Sequence, residues 1–178
     1  MHADSKKIEL QPHLVGELLE LRPLLPEHRD QLFAAASDPL IWEQHPVRNR
    51  YQEQVFQSYF QGGLDSKGAF AVIDRATGKI VGSTRYCDYV PERSEIEIGW
   101  TFLVRSHWGG NYNGEMKRLM LEHIFQFVDH VVFKIGETNL RSRKAVEKIG
   151  GVLIDRREKM EVSGVVVEHV WYRITKPA

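Results

Sequence analysis

The chain has 178 residues, 42% hydrophobic and 27% charged, and its 24 basic and 24 acidic side chains leave no formal net charge. That size and mix suit one globular domain with a full hydrophobic core, and the zero balance argues against broad electrostatic binding to nucleic acid or an anionic membrane. A single cysteine, Cys87, excludes an internal disulfide and a cysteine metal cluster; it lies in a strand-like run and reads as a small buried apolar residue.

Met1–Gln11 is polar, without an apolar stretch of signal-peptide type. Residues 1–17 are therefore read as an N-terminal tail and 18–178 as a single domain. No apolar run has the length of a membrane span, so no membrane partner and a cytoplasmic location are expected. Leu18–Leu24 reads as a first strand, limited by Pro23. Pro26 suits the first turn of a helix, with Leu32, Phe33 and Ala36 on its apolar side and Asp38-Pro39 as its end. Leu40–Arg50 is a mixed segment. Gln52–Gln61 is a second helix, which Gly62-Gly63 is expected to stop.

The period then changes. Ala69–Asp74 and Lys79–Cys87 form a hairpin around Arg75–Gly78, and Ser94–Val104 is a third antiparallel strand. Ser106–Glu115 is a polar, glycine-rich loop. It leads into a helix whose apolar residues Met116, Leu119, Met120, Ile124, Phe127 and Val128 follow the i, i+3, i+4, i+7 pattern. Val131–Ile135 is a short apolar run of the kind found in buried central strands. Leu140–Ile149 is a helix ended by Gly150-Gly151, and Val152–Asp155 and Val165–Ile174 are the last strands. The fold class is mixed α/β (α+β), with about seven strands in one mostly antiparallel sheet and helices on both faces.

Two motifs carry chemistry. Strand, glycine loop and helix start follow one another at Ser106-His107-Trp108-Gly109-Gly110-Asn111-Tyr112-Asn113-Gly114-Glu115. Glycines let a ligand approach the backbone, and the first helical turn offers free N–H groups and the positive end of the dipole. The loop is thus either an anion site or an ordinary strand-to-helix turn. The second motif, Asn139-Leu140-Arg141-Ser142-Arg143-Lys144-Ala145-Val146-Glu147-Lys148-Ile149-Gly150, opens a helix on Asn139, a good cap residue in its own right.

From about Leu18 to Ile174, element order and these two motifs together resemble the GNAT superfamily of N-acetyltransferases. The resemblance is nearest to the branch of ribosomal-protein N-terminal acetyltransferases. It implies a sheet with two splayed central strands and acetyl-CoA as cosubstrate. Phe102, Leu103 and Val104 would pair with its pantetheine arm. Trp108, Gly109, Gly110, Asn111, Tyr112, Asn113 and Gly114 would wrap its pyrophosphate. The family's arginine-or-glutamine, glycine and glycine-or-alanine positions fall here on Trp108, Asn111 and Asn113, a departure that a backbone cradle can absorb. Asn139 would lie near the pantetheine and Ser142 beside the thioester sulfur. Many relatives carry a tyrosine acid where this chain has Val146, which leaves Ser142 as the candidate proton donor to the leaving thiolate. Arg141, Arg143 and Lys144 could face the cofactor's 3′-phosphate or form a solvated charged stripe.

An attacking amine needs a base. Strand alternation in Ser94–Trp100 puts Glu95 and Glu97 on one face; Glu97 is the first candidate and Glu95 the second, against a role as solvated sheet residues. Trp42, His45, Arg48, Tyr86 and Trp100 are candidates for the acceptor pocket. No histidine–carboxylate spacing suggests a metal site. The functional expectation is direct transfer of acetyl from acetyl-CoA to an amine, either a small molecule or a protein N-terminus. The alternatives are a CoA-binding regulatory module with weak or no catalysis and a plain interaction domain. A homodimer is left open.

Overall fold

Ala69–Asp74 is apolar up to its last residue, and all six positions are buried, as expected of a strand covered on both faces. In the computed structural model, which describes residues 7–178, this strand separates two cores. Phe70 and Val72 join Met116, Met120 and Ile124 on one side. Ala69, Ala71 and Ile73 join Leu32, Phe56 and Phe60 on the other. Strand alternation thus sends neighbouring residues to helices on opposite faces.

The elements run β1 (Leu14–Val15), β2 (Leu19–Pro23), α1 (Arg29–Ala36), α2 (Glu53–Ser66), β3 (Ala69–Asp74), β4 (Ile80–Val90), β5 (Glu95–Leu103), α3 (Tyr112–Ile124), β6 (His130–Gly136), α4 (Leu140–Lys148), β7 (Val152–Val162) and β8 (Val165–Thr175). One sheet of eight strands holds them in the order β1-β2-β3-β4-β5-β6-β8-β7. Every pairing is antiparallel except that of β5 with β6.

Three expectations change. Part of the expected tail is structural. Leu14 and Val15 pair with Leu21 and Glu20, and Ile8 and Leu10 pack on the core; Met1–Lys6 lie outside the described residues. The Glu115 carboxylate fastens this region by accepting N–H groups from Glu17, Leu18 and Leu19 at 2.8, 2.8 and 2.7 Å. Gly62-Gly63 does not stop the second helix, which runs on to Ser66 and ends on Lys67 in the left-handed region, φ 54°. A Cβ on Gly63 would lie 2.9 Å from Leu24 Cδ2, so the glycine is there for close packing of helix on strand. The last hairpin is longer than the sequence suggests because β7 continues to Val162.

Candidate active site

The site starts where the sheet opens. β5 and β6 pair only through Glu95–Glu97 against His130–Val132. Beyond that point β6 pairs only with β8 on its far side, and the two central strands diverge. Just past the split, two residues of β5, Trp100 and Thr101, face Thr84 alone on β4. This bulge holds Trp100 at φ 55°, a left-handed conformation that bulky residues avoid unless their surroundings impose it. The Tyr59 hydroxyl fixes it by donating to the Trp100 carbonyl at 2.7 Å. The opening is a cavity of about 490 Å³, walled by Ile98–Leu103 of β5 and Phe133–Gly136 of β6.

At one end lies the glycine loop. Gly109 has φ 71° and no atom within 4 Å of an added Cβ, so its backbone is approachable. Phe102, Leu103, Trp108, Gly109 and Asn113 reach the cavity wall. The Val104 N–H is taken by the Val81 carbonyl at 2.8 Å. Gly110, Asn111, Tyr112 and Gly114 are not on the wall; Gly114 lines a separate groove with Arg118 and Leu121 instead, and Tyr112 packs on His107 with ring centroids 4.3 Å apart. Trp108 folds inward. Its indole N–H donates to the Leu103 carbonyl at 2.8 Å, and Arg141 stands 4.0 Å from its ring.

Glu97 and Glu95 share a face, but neither is a solvated sheet residue: they are 4% and 2% exposed. Their environments differ. Glu97 lines the cavity and one of its carboxylate oxygens is buried without a partner. Burial pushes its carboxyl up to about 8, only partly opposed by Lys134 and reinforced by Asp88. Asp88 and Cys87 present ligand atoms within 4.8 Å of it. Burial also pushes the Cys87 thiol far above its usual range, so it is no ready nucleophile. Glu95 is away from the cavity wall, held by Arg156 at 3.0 Å, Arg93 at 3.2 Å and Arg173 at 3.8 Å. Burial alone would raise its carboxyl, yet Arg156 and Arg93 hold it below the ordinary value. It is the centre of a buried ion-pair cluster.

From the other side comes α4. The Asn139 side chain is 4% exposed and caps the helix by accepting the Ser142 N–H at 3.3 Å. Asn139, Ser142 and Val146 all line the cavity. Arg141 donates to the Ile41 carbonyl at 2.7 Å. Arg143 is committed to the Tyr172 hydroxyl and the Glu137 carbonyl, both at 3.0 Å. Lys144 alone of this trio is exposed.

Of the acceptor-pocket candidates, Trp42, His45 and Trp100 line the cavity, while Arg48 and Tyr86 do not. Tyr86 lies in the opposite core and donates to the Met120 carbonyl at 2.6 Å. Burial, and then Arg50, push His45 down to about 3, so its ring is neutral at any working pH.

A family model described as "Acetyltransferase (GNAT) domain" matches residues 19–152. The chain belongs to the GNAT acetyltransferase family. Among curated proteins none matches it by sequence. Solved GNAT structures share the fold. A GCN5-related N-acetyltransferase from Brucella melitensis is 24% identical with a TM-score of 0.83, covering 93% of this chain and 79% of its own. A GNAT acetyltransferase from Bacillus anthracis is 18% identical with a TM-score of 0.76, over 92% and 98%. The microcin C7 self-immunity acetyltransferase, solved with acetyl-CoA and AMP, is 14% identical with a TM-score of 0.73, over 94% and 99%.

Among the cavity-wall residues outside the sequence candidates are two buried cationic side chains, Lys117 and Arg50. Lys117 of α3 is 4% exposed and donates to Thr101 Oγ1 at 2.8 Å and Thr84 Oγ1 at 3.4 Å. Burial lowers it to about 7. Its signal was available: positions 117, 120, 121 and 124 form one helical stripe, and a lysine on an apolar stripe is out of place. Arg50 is 7% exposed and follows an irregular segment with no period to reveal which way it faces.

Proposed function

We propose that this acetyltransferase is an acetyl-CoA-dependent N-acetyltransferase, in which a primary amine attacks directly while both substrates are bound. The observation that carries the proposal is Glu97: a buried carboxylate with an unpartnered oxygen, on the wall of a cavity that begins where β5 and β6 part. The residues suit the cosubstrate. The backbone of β5 beyond Glu97 is released from β6 and can pair with an extended amide-bearing arm. Gly109 leaves room for phosphate close to the chain, and the N-terminus of α3 favours negative charge there. The bound thioester supplies an activated acyl group.

The side chains do the rest. Glu97, once ionised, takes a proton from the incoming ammonium, directly or through water. With its carboxyl at about 8, it is well matched to an operating pH near neutrality. Ser142 donates its hydroxyl proton to the departing sulfur or orients a water that does. Val146 has no proton to offer. Asn139, through its cap on Ser142, fixes the start of α4 and so the place of that hydroxyl. The acceptor is a small-molecule amine or a peptide N-terminus.

The test is calorimetric binding of acetyl-CoA followed by thiol release across an amine panel. Binding, with turnover that collapses in Glu97→Gln while acetyl-CoA affinity holds, is the expected result. Binding without turnover of any amine would match a CoA-binding regulatory module instead. No binding at millimolar acetyl-CoA would sink both readings.

A further inference from the structure

Some buried charges are matched: Glu95 has three arginines around it and Asp74 meets His107. Two buried cations on the α2 side of the cavity have no such match. Arg50 and Arg85 are each 7% exposed, and neither has a carboxylate within the 4.0 Å of an ion pair among the described residues. Arg50 stands over the rings of Tyr59 at 4.9 Å, Trp100 at 5.1 Å and Trp42 at 5.5 Å. Arg85 stands 4.6 Å from Trp100 and 5.9 Å from Tyr59. Its Nε is buried without a partner, and its Nη2 donates to the Tyr59 carbonyl at a long 3.4 Å.

Two guanidinium groups on the same rings repel each other, and aromatic faces compensate only part of the cost of taking them from water. Burial and the nearby Arg85 hold Arg50 down to about 10. Exposed Asp88 acts on Arg85, and Asp88 and Glu97 share the cavity wall with Arg50. His45 cannot neutralise Arg50: its Nε2 lies 3.2 Å from Arg50 Nη1, and its Nδ1 already accepts the Val47 N–H. A guanidinium has five N–H donors, so most of those on Arg50 are unused. Arg50 also opens onto the cavity that holds Glu97. Trp100, 44% exposed, is held there by its bulge and by Tyr59.

We infer that the acceptor amine carries an anionic group, a carboxylate or a phosphate, which Arg50 binds in the cage of Trp42, Tyr59 and Trp100, with Arg85 adding its charge from behind. The inference rests on the N-acetyltransferase reading and gives it a substrate class. Arg50 anchors the anion by paired N–H donors, and the amine at the other end of the molecule meets Glu97. An anion in the cage supplies the negative charge that the free protein lacks.

The experiment uses the full chain saturated with CoA, titrated calorimetrically with matched pairs. L-leucine against leucinamide tests a carboxylate, phosphoethanolamine against ethanolamine a phosphate, and Ser-Asp-Ala-amide against Ser-Asn-Ala-amide an acidic peptide. At least one anionic member is expected to bind about tenfold or more tightly than its neutral match, as a charge-assisted bidentate contact allows. Arg50→Gln and, separately, Arg85→Gln should erase that preference while acetyl-CoA affinity is unchanged. Equal affinity within every pair, or no binding of any anionic member, overturns the inference on the wild-type protein alone. So does a preference that survives in both variants. Thiol release from acetyl-CoA, followed for the same amines, separates the two readings. Transfer without anion preference sinks only the inference; anion preference without any transfer sinks the N-acetyltransferase reading and leaves the anion site.

Discussion

Replacing Glu97 by glutamine keeps the shape of the side chain and removes its charge. Glu97 in the folded chain holds its proton up to about pH 8, whereas the ordinary glutamate of the unfolded chain loses it near 4.5. Between those values the folded state binds more protons, so stability falls as pH rises through that window. At roughly 1.4 kcal/mol per pH unit, the burden on the ionised form reaches the order of 5 kcal/mol above pH 8. The neutral amide carries no such burden. The Glu97→Gln variant should melt close to the wild type at pH 5 and about ten degrees higher at pH 9, since 1 kcal/mol moves a domain of this size by roughly 2–4 °C. Activity should go the other way. Loss of a general base costs about 10²- to 10⁴-fold in kcat, and the rise of wild-type kcat/KM with pH through about 8 should disappear. Melting curves by circular dichroism from pH 5 to 9 and thiol release over the same range measure both. A melting difference that is constant across the range would refute the reasoning, because Glu97 would then titrate elsewhere.

Other outcomes follow from the same contacts. Ser142→Ala should lower kcat by roughly ten- to a hundredfold with little change in acetyl-CoA affinity; single-turnover acetyl transfer at its wild-type rate would reduce Ser142 to a wall residue. Lys117 is the mirror case of Glu97. Its folded value of about 7 lies below the ordinary 10.5, so its contribution rises with pH between those values, and Lys117→Met should stabilise the protein most at pH 6 and least near pH 10. A melting gain that grows toward alkaline pH would contradict that sign. Glu95→Ala should cost about 3 kcal/mol by stranding Arg156 and Arg173, with the turnover of the folded fraction retained; denaturant titration and specific activity would detect the reverse. Acetyl-CoA at a hundred times its Kd should stabilise the protein by about 2.7 kcal/mol, visible as a higher melting temperature.

Much of this chain was legible in one dimension. The buried run Ala69–Asp74, the period of α3 and the cap Asn139 are local features, and a strand, a helix or a helix start follows from neighbours a few residues apart. So do the two motifs that point to the GNAT family, and the pairing of Glu95 with Glu97 on one face. What local pattern could not supply was which partner each residue meets. Glu95 and Glu97 are two positions apart and equivalent by alternation, yet Arg156 and Arg173 arrive from β7 and β8 at one, and an opening between two strands lies at the other. Gly62-Gly63 has the composition of a stop, but the close approach of Leu24 makes it a packing surface inside a continuing helix. The burial of Lys117, Arg50 and Arg85 beside the cavity depends on contacts up to 50 residues away along the chain. Sequence by itself determined most of the elements, the family and the alternation of faces, because these rest on short-range patterns. Only the tertiary structure decided which carboxylate is free to titrate and which guanidinium lacks a counter-charge, because desolvation and ion pairing depend on what the fold packs against each group.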